Sequence, residues 1–211
     1  MLLYHGSEKI IKNPVYGLGA KYNDYGPGFY CTKEIELAKE WACKTSSDGY
    51  ANEYVLNEDD LNILDLTYDV YSILHWLCIL VEHRQFDVNT PIMQRGHEWL
   101  VNNYHIDISQ YDIVKGYRAD DSYFSFARAF LSNQISLQQL EGVMGLGELG
   151  IQYVLISEKA FGAIEYKRFE IAPSDKYYLK RMARDHNARE NYRKIASEMD
   201  FKGTYIRDLM E

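Results

Sequence analysis

Between residues 6 and 28 the chain carries seven glycines and prolines: Gly6, Pro14, Gly17, Gly19, Gly26, Pro27 and Gly28. No helix or strand of ordinary length survives that density of period-breaking residues, so the segment reads mainly as loop. Two short apolar runs flank it, 2–4 and 29–31, and both suit strands. Any fold for this chain must therefore hold two strands around a long glycine-rich connection near its start. The same region holds several of the chain's nineteen tyrosines. Tyr-Gly stretches are either disordered or line a pocket for a flat polar ligand.

The 211 residues suit one domain, or one domain with an appendage, and 46% apolar with 26% charged residues is enough for a packed core. The net charge of −8 argues against a general electrostatic grip on nucleic acid or anionic membrane, and leaves room for a local basic patch. Cys31, Cys43 and Cys78 stand far apart with no CxxC, so they read as reduced core residues of a cytoplasmic protein. No metal site is expected. The start of the chain has no charged segment followed by a long apolar one, which predicts no signal peptide. The longest apolar run, 73–81, is broken by His75 and too short to cross a bilayer.

Along the rest of the chain, Thr32 reads as the N-cap of a helix to about residue 44. Glu34 and Glu36 fall in its first turn, with Ile35, Ala38, Trp41 and Ala42 on one side. Residues 53–56 and 62–66 look like two strands joined by 57–60. Residues 69–83 suggest a buried helix and 92–103 another. Residues 112–116 read as a strand, and 121–131 and 137–143 as helices, the second capped by Ser136. Gly145, Gly147 and Gly150 mark a flexible loop. Residues 151–156 and 163–169 read as strands around 158–161. From 175 on, nine basic and seven acidic residues give +2 against −10 for the remainder. An imperfect stripe of Leu179, Met182, His186, Tyr192, Ala196 and Met199 predicts a helical extension, either packed on the domain or serving as a docking or substrate-contact segment.

Three pieces stand in order: Leu3-Tyr4-His5-Gly6-Ser7, Tyr25-Gly26-Pro27-Gly28-Phe29-Tyr30, and Gln152-Tyr153-Val154-Leu155-Ile156. Together they resemble the ADP-ribosyltransferases of the diphtheria-toxin and poly(ADP-ribose) polymerase branch, marked by a His-Tyr-Glu triad on three strands. The chain is also similar to a bacterial family of the same superfamily. That family shares "LYHGS", "YGxGFYxT", an "ADD" after a mid-chain strand (here Ala119-Asp120-Asp121) and a late-strand glutamine. The resemblance brackets residues 2–170. It implies an α+β fold, with two packed, mostly antiparallel sheets forming an NAD cleft surrounded by helices. It places that domain at 1–174, with a helical insertion near 69–105 and a C-terminal helical extension at 175–211.

The implied reaction moves ADP-ribose from NAD to an acceptor through an oxocarbenium-like transition state, so ribose and nicotinamide must be held rigidly. By resemblance His5 bonds the adenosine-ribose hydroxyl, and Gly6 offers its backbone to the nicotinamide amide, its missing side chain permitting that approach. Tyr30 stacks on the nicotinamide, Trp41 closes the ring's other face, and Ser7 and Gly28 complete the NAD-binding set. Gln152 stands where the branch carries its glutamate. A neutral amide still bonds a hydroxyl but stabilises a developing cation less. This leaves mono-ADP-ribosyl transfer, slow hydrolysis, or an inactive NAD or ADP-ribose sensor, with an interaction scaffold as a further alternative. Asp120 or Asp121 is the candidate replacement carboxylate, with Glu148 a weaker one. Glu53, in Asn52-Glu53-Tyr54, mimics the third motif but comes too early. Ala38 falls where the polymerases carry a nicotinamide-binding serine. The loop 13–28 is expected to border the donor and 143–150 the acceptor. The acceptor is a macromolecule, protein or nucleic acid, for which Lys180, Arg181, Arg184, Arg189 and Arg193 supply a local basic patch. The bacterial resemblance implies a toxin or effector, with an antitoxin as possible partner.

Overall fold

A computed structural model describes residues 1–45, 47–85, 87–119, 121–145 and 150–211, with the backbone alone at 121–123 and 144–145. In chain order the elements are β1 (Leu2–Ser7), β2 (Phe29–Cys31), α1 (Ile35–Ala42), β3 (Gly49–Leu56), β4 (Ile63–Asp65), α2 (Ile73–His83) and α3 (Pro91–Tyr104). A 3₁₀ turn (Ile108–Gln110), β5 (Ile113–Tyr117), α4 (Asp121–Leu131), α5 (Leu137–Gly145) and β6 (Ile151–Leu155) follow. The chain closes with α6 (Glu158–Gly162), β7 (Ile164–Ala172), α7 (Ser174–Ser197) and α8 (Ile206–Leu209).

The protein is α+β with two sheets. One has the order β1-β3-β7 and is antiparallel; the other has the order β2-β6-β5-β4, with only β4 and β5 parallel. The alternation of strand side chains explains how they stack. Leu3, Phe29, Cys31, Ile113, Tyr153 and Leu155 form one buried cluster with Tyr54 and Leu56 of the first sheet. The residues between them, Val114 and Val154, join α2, α4 and α5 in a second and larger core. On the outer face of β1 and β3, Tyr4 and Ala51 pack on Ala38 of α1. An isolated bridge ties the sheets together: Tyr4 N–H donates to Thr32 O at 2.8 Å and Thr32 N–H to Tyr4 O at 2.9 Å.

Several expectations shift. β1 runs on through His5, Gly6 and Ser7, because each pairs with β3, at Asn52, Ala51 and Tyr50. Thr32 is not the cap of α1; its backbone is taken by Tyr4, and α1 starts three residues later with Glu34 at its N-cap. β3 begins at Gly49 because it is the central strand, paired on both sides. It and β4 are not neighbours but lie in different sheets. Ser136 does cap α5, accepting from Gln139 N–H at 3.1 Å. All three cysteines are free and buried. Among the described residues no helix is long and apolar enough to cross a membrane.

The C-terminal residues are helical and docked. Arg184 of α7 pairs with Glu40 of α1 at 2.9 Å, and Tyr177 O–H donates to Glu36 at 2.9 Å. α8 buries Ile206 against α3. The helices of 69–105 chiefly build the larger core through Trp76, Leu77, Leu80 and Leu100.

Candidate functional site

A cleft of about 900 Å³ lies against β1, β2 and β6, near the top of the roughly 300–1,000 Å³ usual for small-molecule sites. His5 and Gly6 line it from β1, and Gly28, Phe29 and Tyr30 from β2 and its approach. Gln152 enters from β6, Trp41 from α1 and Asp24 from the glycine-rich connection. Most of the expected border loop, including Asn13, Leu18, Gly19 and Asn23, is there too.

His5 stacks on Phe29, ring centroids 4.3 Å apart, and its Nδ1 lies 2.7 Å from the Tyr30 carbonyl. A carbonyl only accepts, so Nδ1 carries the proton. Burial lowers the imidazole pKa to about 4, with Lys44 acting in the same direction and the carbonyl bond opposing. The ring is therefore neutral at pH 7, with Nε2 as an acceptor.

Tyr30 O–H donates to Gly26 O at 2.6 Å and accepts from Tyr25 N–H at 3.0 Å. The hydroxyl closes the end of the connection, while the ring lines the cleft. Burial raises its pKa. Gly26 needs its glycine, since its φ is +73°.

Gly6 has a reason other than ligand approach. A Cβ there would sit 1.9 Å from the Ala38 carbonyl oxygen and 2.9 Å from the Ala42 nitrogen. Its missing side chain lets α1 cross β1, and only its backbone is available to the cleft. Ser7 does not line the cleft; its hydroxyl donates to Lys9 O and accepts from Asn52 Nδ2. Trp41 does line it, but the Arg118 guanidinium lies 4.5 Å from its ring centre, so that face is taken. Among the described residues its buried indole Nε1 has no hydrogen-bond partner.

Gln152 is buried. Its Nε2 donates to Asp24 Oδ2 at 3.0 Å and to the Tyr117 carbonyl at 3.1 Å. Asp24 is 7% exposed and also accepts from Ala119 N–H at 2.8 Å. Its other oxygen lies 3.3 Å from Arg84 Nη1. Burial raises the Asp24 pKa, opposed first by Arg84, then by Ala119 N–H and Gln152.

Asp24 is the carboxylate the sequence did not announce, an acid one residue before the Tyr25-Gly26-Pro27-Gly28-Phe29-Tyr30 piece and not part of it. Asp120 and Glu148 lie outside the described residues, as do the Asp121 side chain and residues 146–149 of the expected acceptor loop. Glu53 does not line the cleft; it pairs with Arg168 across β3 and β7. Also unannounced are Arg84, Arg118, Tyr178 and Asp185; with Arg181 of the expected basic patch and Met182 of the expected stripe, Tyr178 and Asp185 form an α7 wall of the cleft. The described lining thus carries Lys44, Arg84, Arg118 and Arg181 against Asp24 and Asp185, a cationic cleft in a protein of net charge −8. Among the described residues no group of His, Cys, Asp and Glu could hold a metal ion.

The class this fold and cleft define is an α+β protein of two sheets with a cationic, aromatic-lined cleft. The chain belongs to the family described as "Protein of unknown function (DUF3990)", whose model matches residues 1–166. Neither the curated proteins nor the solved structures give a match. The α7 wall lies beyond the matched segment.

Proposed function

We propose that the cleft binds NAD on an ADP-ribosyltransferase-like fold and that the protein transfers a single ADP-ribose to a macromolecular acceptor. The observation that carries this is the convergence of His5, Tyr30 and Gln152, on three strands far apart in sequence, around one cleft. Their chemistry suits the ligand. Neutral His5 offers an acceptor for a ribose hydroxyl, and Gln152 a second polar contact. The Tyr30 ring offers a flat apolar surface for a heterocycle. Lys44, Arg118 and Arg181 suit a diphosphate.

The reaction cleaves the bond between nicotinamide and ribose, and the acceptor takes the vacated carbon. Here the rigid frame around His5 and Tyr30 holds the donor, while neutral Gln152 adds little stabilisation to the developing cation. A second reading, NAD binding with little turnover, is favoured by the pairing of Asp24 with Arg84, which offsets the charge of the carboxylate hydrogen-bonded to Gln152.

Titration calorimetry with NAD, followed by assay of released nicotinamide, tests both. Saturable binding that His5→Ala and Arg181→Glu weaken supports the site, nicotinamide release supports turnover over binding alone, and label from NAD retained on a macromolecule separates transfer from hydrolysis. No heat and no protection from unfolding at millimolar NAD would end the NAD reading.

A further inference from the structure

We infer that Asp24 is a positioning residue that fixes the Gln152 amide, so that Gln152 presents an acceptor oxygen to the ligand. This rests on the NAD reading only for the identity of the ligand. Asp24 Oδ2 and the Tyr117 carbonyl are both acceptors, so the Gln152 atom between them must be the nitrogen. Both of its N–H groups are taken by the protein, and Oε1 is the amide's remaining hydrogen-bonding atom. Gln152 then treats a ligand hydroxyl as a carboxylate would, by accepting. Asp24 is itself held from three sides, by Ala119 N–H, by Arg84 and by Gln152. Arg84 also donates to Ala119 O at 3.0 Å, which ties the acid to the segment after β5.

The consequence runs against the simple expectation for residue 152. Glutamate there would not be an improvement. Its carboxylate would meet Asp24 at a distance where two like charges repel strongly, and Tyr117 O would add a further acceptor. At the lower pH the two acids would share one proton; at the higher pH that proton is lost and the repulsion acts in full. Among the described residues, the charged and titratable groups facing the pair are Arg84, Arg118, Tyr25 and Tyr30. The His83 imidazole lies against nearby Gly26. Burial lowers the His83 pKa; this imidazole is present in all four proteins of the cycle, and its contribution cancels between them.

The test is a double-mutant cycle of Asp24→Asn, Gln152→Glu and both together, read by NAD affinity and by thermal melting at pH 5.5 and pH 8. At pH 8, Gln152→Glu should weaken NAD binding by at least about tenfold, one good hydrogen bond, and lower the melting temperature. Both losses should shrink at pH 5.5, where the shared proton returns. In the double variant the new amide at position 24 supplies the donor that the new carboxylate at position 152 lacks. The pH 8 losses should then fall well below the sum of the single effects, and their pH dependence should disappear. Equal effects of Gln152→Glu in both backgrounds, or tighter NAD binding by Gln152→Glu at pH 8, would overturn the assignment. Failure of the wild-type protein to bind NAD would instead sink the NAD reading, and the melting cycle would still decide the role of Asp24.

Discussion

Acidification should remove a defined part of this protein's stability through His5. In the unfolded chain the imidazole titrates near 6.5; in the fold its pKa is lowered to about 4. Between those values the native state binds fewer protons than the unfolded state, so stability rises with pH. The contribution is complete above 6.5 and lost as the pH falls to 4. At about 1.36 kcal/mol per pKa unit the difference amounts to roughly 3 kcal/mol. This is a ceiling, because part of the ring stays open to the cleft and its solvent. The reference is His5→Asn, whose amide can still donate toward the Tyr30 carbonyl but cannot titrate. Urea unfolding of both proteins from pH 7.5 to 4.5 isolates the histidine, since His75 and His83, also lowered by burial, contribute equally to each. The wild type should lose stability more steeply than the variant, and the His5 ring protons should titrate near pH 4 in NMR spectra. Parallel curves, or a ring midpoint near 6.5, would refute a neutral His5 held by burial.

Other outcomes follow from the same geometry. Gly6→Ala should lower stability by about 3 kcal/mol or more, since its Cβ meets backbone of α1 that cannot swing away; an unchanged denaturation midpoint would contradict that close approach. Arg84→Met should destabilise by about 3–5 kcal/mol by leaving Asp24 buried without its cation. That loss should be larger at pH 8 than at pH 5, because burial raises the Asp24 pKa, loss of the cation raises it further, and only the ionised acid misses the cation; chemical unfolding at the two values checks the sign. Arg118→Ala should uncover one face of Trp41 and change its fluorescence with little effect on the melting temperature.

The strands β1, β2 and β6 were readable from their short apolar runs, although β1 continues past its run through His5 to Ser7, where pairing with β3 holds it. The limits of α4 follow its periodicity, and Ser136 announces the start of α5. What could not be read depends on partners distant in the chain. Thr32 has the chemistry of a cap, yet a strand partner 28 residues earlier takes its backbone. Nothing around residues 53–66 says that β3 and β4 belong to different sheets. The role of Gly6 depends on where α1 crosses, and the occupied face of Trp41 on an arginine from beyond β5. Asp24 becomes notable only when Ala119, Arg84 and Gln152 arrive around it. Its own neighbours in sequence carry no sign of this.

The seam between the sheets gives the cleft a built-in gauge. Tyr4 and Thr32 exchange two backbone hydrogen bonds, and one residue further along β1 the His5 ring bonds to Tyr30 of the opposite sheet. A ligand gripping His5 and Tyr30 together bridges both sides of that seam. Amide hydrogen exchange at Tyr4 and Thr32 therefore reports how often the halves part, and a ligand that spans them slows exchange at two sites it never touches.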